Sequence, residues 1–269
     1  MNTLEQELTE YYLDANHGNR VIVHDFEALC GMIQRGILPR SVILGEGPEA
    51  EDHGRIISSL EPSIPVYHAP EEETAEFLSS HTGFRIRPYA LSAFVEVPVL
   101  PFTEETLLRF RRVVILNHSI YLHNIAMVID LCTWFGIDAL ILFETAKSPF
   151  LSQISLQTDF RNLEIPVIMA PDDPGEYITP LRSCGFTVIA TALRRETLVP
   201  EDLRRYGDTR TALLFGNEPN GLPDEDIDLC DCVVKIPMRE GIDSLNVAQA
   251  CSILLYELTA DDPDRRSRN

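Results

Sequence analysis

Two stretches of the C-terminal half carry side chains suited to holding a small molecule and acting on it. The first is Leu213-Leu214-Phe215-Gly216-Asn217-Glu218-Pro219-Asn220-Gly221-Leu222-Pro223, an apolar strand that runs into a loop of glycines, asparagines and one acid. Ligands of α/β sheets bind where strands end in such loops. Gly216 lets the backbone come close to a ligand, while Asn217 and Glu218 offer polar contacts. The second stretch is Val234-Lys235-Ile236-Pro237-Met238 followed by a glycine-containing loop and Ser244-Leu245-Asn246-Val247-Ala248, the start of a helix. Ser244 is the predicted N-cap, which turns the first-turn amides toward a ligand.

Together the stretches read F-G-N-E-x-x-G-L and, some twenty residues later, I-P-M-x-x-x-x-x-S-L-N-V. This pair closely resembles two signature motifs of the SpoU/TrmH branch of the SPOUT methyltransferases, over roughly residues 110–258. The resemblance implies an α/β domain with a trefoil knot, an exception to the rule that chains stay unknotted. It implies S-adenosylmethionine held in a bent conformation by Phe215, Gly216, Asn217, Ile236, Met238 and Leu245. It also implies a catalytic set of Asn124, Glu218, Ser244 and Asn246, no metal, and a homodimer. The activity implied is methylation of a ribose 2′-hydroxyl of tRNA or rRNA.

Elsewhere the sequence departs from the family. Its first motif reads approximately D-P-x-N-x-G-A-x-x-R, and the chain has Tyr121-Leu122-His123-Asn124-Ile125-Ala126-Met127-Val128-Ile129-Asp130. Asn124 is kept, but Asp130 stands where the resemblance expects an arginine that engages RNA phosphate. A middle motif, R-A-S-x-G, falls near Leu156-Gln157-Thr158-Asp159-Phe160, where only Thr158 resembles the expected serine. The donor side of the site therefore reads as kept and the acceptor side as rewritten. A carboxylate at 130 is a candidate general base. Beside a phosphate it repels by roughly a few kcal/mol at an effective dielectric near 20. Competing readings are a protein of this fold that binds cofactor or a partner without methylating RNA, a less anionic acceptor, or an Asp130 that merely occupies a helix face near the dimer seam.

The elements that must carry these residues follow from apolar periodicity. Strands are expected near 112–116, 138–143, 166–169, 186–190, 211–215 and 232–236, with helices near 121–135, 174–184 and 244–258. Such alternation predicts a mostly parallel sheet covered on both faces. An N-terminal α/β unit is read from strands near 21–23, 41–44 and 65–67 and helices near 25–35 and 49–60. The resemblance likens it to a ribosomal-protein-like substrate domain. Gly45-Glu46-Gly47-Pro48 lacks a third glycine and reads as a turn rather than a phosphate loop. Two prolines make 98–105 a linker, giving domains 1–105 and 106–269.

Composition bounds the rest. The 269 residues hold 42 acids against 22 basic residues, a formal charge of −20 and the opposite sign from a typical nucleic-acid binder. Residues 1–105 contribute 18 acids and 6 arginines to that imbalance. Among the latter, Arg85 and Arg87, with Phe84 and Tyr89 as stacking partners, form the best local candidate for RNA contact, against the competing reading of an amphipathic edge strand with exposed arginines. All seven histidines lie at or before His123, so the C-terminal half cannot supply a triad histidine. The six cysteines read as reduced, mostly core residues, and Cys230-x-Cys232 has no second pair to complete a zinc site. With no basic and apolar leader and no run of about 20 apolar residues, the expected location is cytoplasmic, off the membrane.

Overall fold

The computed structural model describes residues 20–82, 85, 87–96, 98–119, 121–143, 165–193, 197–217, 220–239 and 244–262. They fall into two compact units that part between Pro98 and Val99.

The N-terminal unit is built on a four-stranded sheet. Its strands are β1 (Arg20–Val23), β2 (Ser41–Leu44), β3 (Val66–His68) and β4 (Leu91–Glu96), in the order β1-β4-β2-β3. Strand β4 runs antiparallel to both neighbours, and β2 and β3 are parallel. Helices α1 (Phe26–Gln34), α2 (Pro48–Leu60) and α3 (Glu71–Thr82) complete it. Asp25 caps α1 by accepting from the Ala28 amide at 2.7 Å. Gly47, at φ 107°, turns the chain into α2, so the glycine cluster is a helix entry. Neither α3 nor β4 was expected from periodicity. Helix α3 opens on three glutamates and, over residues 71–80, buries Thr74, Ala75 and Leu78. Tyr89 is stacked on His24 at 3.8 Å, and Arg85 and Arg87 are exposed; Phe84 lies outside the described residues.

The larger unit holds a seven-stranded sheet in which every pairing is parallel. Its strands are β5 (Val99–Pro101), β6 (Arg112–Leu116), β7 (Ala139–Phe143), β8 (Val167–Ala170), β9 (Thr187–Thr191), β10 (Thr211–Phe215) and β11 (Cys232–Val234). Their order is β11-β9-β10-β6-β7-β8-β5. The helices are α4 (Glu104–Leu107), α5 (Leu122–Trp134), α6 (Pro174–Ser183), α7 (Asp224–Leu229) and α8 (Val247–Leu258), with a 3-10 helix over Pro200–Tyr206.

The expected alternation and parallel pairing are present. The segment 98–105, read as a linker, is instead edge strand β5 and the start of α4. Proline is tolerated on an edge because one side of the strand needs no amide donor there. Strands β6, β7 and β10 are buried along their whole length, as in sheets covered on both faces. One face packs Val113, Ile115, Ile141 and Leu214 against Tyr177, Ile178 and Leu181 of α6. The alternate residues Val114, Leu140 and Leu213 are equally buried. Helices α5 and α8 pack on each other through apolar faces that include Cys132 and Cys251. Burial raises both thiols above the ordinary cysteine range, as for unreactive core residues. No described helix is long and apolar enough to cross a membrane.

A buried polar triad fastens the end of β6. Asn117 donates to Asp226 of α7 and, at 3.2 Å, to the Tyr177 hydroxyl, which itself donates to Asp226 at 2.6 Å. Burial and the Asp226 carboxylate hold the Tyr177 phenol well above its usual range. Tyr177→Phe strips a donor from Asp226 and an acceptor from Asn117. It is expected to lower stability by roughly 1–3 kcal/mol, read as a lower urea midpoint at unchanged m.

Candidate functional site

Because all its strands are parallel, β6, β9, β10 and β11 end on one edge of the sheet. From β6 the chain continues to β7 and β8 on one side, whereas β9, β10 and β11 lie on the other. The reversal between β6 and β10 is the crevice where open α/β sheets bind ligands. A cavity of about 680 Å³ lies at these strand ends.

Thr191, Ala192 and Leu193, at and just beyond the end of β9, form one part of its wall. Phe215, Gly216, Asn217 and Leu222 follow from the end of β10. This loop is folded tightly: the Asn217 carbonyl accepts from the Gly221 amide at 2.9 Å, and its side-chain oxygen accepts from the Asn220 amide at 3.0 Å. Gly221 sits at φ 67°, a left-handed conformation that favours glycine. At Gly216 a Cβ would collide with the backbone of Gly221 and Leu222, so only glycine closes the turn. Ile236 and Met238, beyond β11, line a third side.

The remaining wall comes from Ser244, Leu245 and Asn246 ahead of α8, and from Tyr121 and Asn124 at the start of α5. The N-cap expected at Ser244 falls instead on Asn246, whose side-chain oxygen accepts from the Ala248 amide at 2.9 Å. Its amide nitrogen donates to the Asn124 side-chain oxygen at 2.8 Å. A carboxamide can cap the helix and donate across to α5 at once, with its two ends fixed by the two partners. Ser244 is left exposed on the cavity wall.

Among the described residues none that lines the cavity carries a formal charge, although the chain has a net charge of −20. The amino ends of α5 and α8 both face the cavity and contribute partial positive charge. Glu218, the acid of the β10 loop, and Thr158 of the middle motif lie outside the described residues. Asp130 does not line the cavity. It lies about 120° around α5 from Asn124, on the face that carries Met127 and Trp134. A second, more open concavity is lined by residues that include Arg109, Arg111, Arg210 and Asp138. Arg210 donates to the carbonyls of Phe110 and Leu108, both at 2.9 Å, and Arg111 lies 3.9 Å from Asp208.

Thus Phe215, Gly216, Asn217, Ile236, Met238, Leu245, Ser244, Asn246 and Asn124, singled out in the sequence, surround one cavity. Sequence reading missed Tyr121 and the segment 191–193. The latter was open to discovery, since it follows a predicted strand on the same edge. Tyr121 had been noticed only as a departure from a motif.

Comparison with known proteins decides the family. Residues 111–256 match the model of the SpoU rRNA Methylase family, more than half of the chain. The chain belongs to that family. An uncharacterised tRNA/rRNA methyltransferase of Mycobacterium bovis is 29% identical over 196 residues, 72% of this chain and 66% of that protein, just under two thirds of its length. A tRNA (guanosine(18)-2′-O)-methyltransferase of Thermus thermophilus is 32% identical over 50% of this chain and 67% of its own. The crystal structure of an AdoMet-bound rRNA methyltransferase from Sinorhizobium meliloti shares the fold, with TM-score 0.70 and 21% identity, over 93% of this chain and 88% of that one. In this SpoU chain Phe215, Gly216, Asn217, Ile236, Met238, Ser244, Leu245 and Asn246 of the two motif stretches line the cavity, and Asp130 lies outside the wall.

The shift of the cap from Ser244 to Asn246 separates two variants. Asn246→Ala loses both the cap and the bond to Asn124 and is expected to lower unfolding free energy by roughly 1–2 kcal/mol. Ser244→Ala is expected to stay within about 0.5 kcal/mol of the parent, as exposed substitutions do, in the same denaturation assay.

Proposed function

We propose that this SpoU chain binds S-adenosylmethionine in the cavity at the carboxyl ends of β9, β10 and β11, and methylates a ribose 2′-hydroxyl of tRNA or rRNA. The carrying observation is the convergence of the β10 loop, the β11 segment and the amino ends of α5 and α8 on one partly apolar cavity whose described lining is uncharged. Its volume, about 680 Å³, suits a nucleoside cofactor, since small-molecule sites run to about 300–1,000 Å³. Phe215, Ile236, Met238 and Leu245 supply apolar surface for a heterocycle. Gly216 leaves the backbone open to close approach. The printed activity of the Thermus relative, a tRNA 2′-O-methyltransferase, supports the reaction.

When bound, the cofactor supplies a methyl group on a sulfonium. The protein's share is to hold the acceptor oxygen in line and to help remove its proton. Asn124 and Asn246, locked to each other, fix the floor of the site, and the exposed Ser244 hydroxyl offers a further polar contact. Glu218, which follows Asn217 of the wall, is assigned the role of proton acceptor. The mechanism calls for no metal.

The assembly proposed is a homodimer in the cytoplasm, with the β10–β11 region threaded as the family's trefoil knot. Exposed apolar stripes support the dimer: Met127 and Trp134 on α5, and Ile253 and Tyr256 on α8. Asp130 shares the α5 stripe and is in this reading a seam residue. Free thiols throughout fit a reducing compartment.

Titration calorimetry with S-adenosylmethionine, followed by transfer of labelled methyl to total tRNA and rRNA at low salt, tests the reading. Saturable binding and label in alkali-resistant dinucleotides are expected, undiminished by EDTA, with Asn124→Ala at least about tenfold slower. Cofactor binding without transfer to any RNA would defeat the assigned reaction. In sedimentation velocity, Trp134→Glu with Tyr256→Glu is expected to convert a dimer into monomers, because paired carboxylates make burial of that face unfavourable.

A further inference from the structure

Tyr121 occupies the N-cap of α5 with no side-chain capping bond, at a position where Ser, Thr, Asp or Asn would satisfy a helix amide. The residue is 54% exposed and lines the cavity beside Asn124. Among the described residues its hydroxyl has no hydrogen-bond partner and its ring no stacked neighbour. By contrast, Tyr89 in the other unit is stacked on His24. Helical geometry separates it from the exposed stripe of Met127 and Trp134 by about 120°. An exposed aromatic side chain on a cavity wall, in place of a stabilising cap, is a local departure of the kind proteins keep for function.

The charge around it points to the ligand. No residue in the described wall is a cation that could hold a phosphate, and the chain's net charge of −20 repels nucleic acid at long range. Every nucleobase has a π-face, and stacking on an aromatic side chain needs no countercharge. We propose that Tyr121 is the stacking platform for the acceptor base, so that this chain holds its acceptor nucleotide by the base rather than by the phosphate. This rests on the RNA methyltransferase reading and deepens it: Tyr121 is a substrate-positioning residue outside the cofactor's half of the cavity.

The test is equilibrium binding, with the protein saturated in S-adenosylhomocysteine. The probes are a fluorescein-labelled single-stranded RNA oligonucleotide of mixed sequence and an abasic ribose-phosphate oligomer of equal length. The parent protein is expected to prefer the base-bearing probe by about tenfold. Tyr121→Ala is expected to abolish that preference, and Tyr121→Phe and Tyr121→Trp to restore it. The ratio of parent to Ala affinity should be the same at about 50 and 200 mM salt, since stacking releases no counterions. Cofactor affinity should be unchanged in all variants.

Equal binding of the two probes by the parent overturns the proposal, as does an Ala variant that keeps the preference or a Phe variant that loses it. Loss of cofactor affinity in Tyr121→Ala also overturns it, by placing the ring on the donor side. A parent protein that fails to bind the cofactor at all removes the methyltransferase reading itself, a result the calorimetry registers before any RNA is added.

Discussion

The bond between Asn246 and Asn124 closes the site. Residues 122 places apart in the chain meet at 2.8 Å, and the same Asn246 side chain starts α8. Helix capping and pocket closure are therefore one event. With α5 and α8 packed on each other behind it, the cavity wall is as firm as the helix pair that supports it. On the opposite wall, the fold-back at Gly216 and Gly221 does equivalent work with backbone alone.

Much of this was legible in the sequence. Runs such as Val113-Val114-Ile115 and Ala212-Leu213-Leu214 are apolar at every position because both sides of a parallel strand are covered. Gly216 stood out because close backbone approach favours glycine, whereas Asn246 was picked out only through the resemblance. Strand order was not legible, since nothing in β10 names β6 as its neighbour. Helix α3 escaped because it buries too few residues to write a period, and β5 because proline reads as a breaker unless its edge position is known. The cap was misplaced by two residues for a chemical reason. Serine is a strong cap taken alone, but only asparagine has a second polar end to reach α5.

Acidity had looked like an obstacle to an RNA substrate, but no formally charged residue is among the described residues of the cavity wall. Its described lining is uncharged, and two helix ends contribute partial positive charge there. A carboxylate such as Asp130, two turns along α5 and on another face, leaves the field at the strand ends largely to those dipoles.

The central pairing of the larger sheet joins β6 to β10, with Arg112 opposite Thr211, strands separated by most of the unit's length. On the ribosome β6 emerges first and waits for its partner. At about 5–20 residues per second, synthesis of the roughly one hundred intervening residues takes about 5–20 s. Through that interval a strand apolar on both sides has no cover on its β10 flank. Nascent chains of this protein thus have a period of exposure in which chaperone engagement competes with self-association, and it ends only when the sheet's middle is joined.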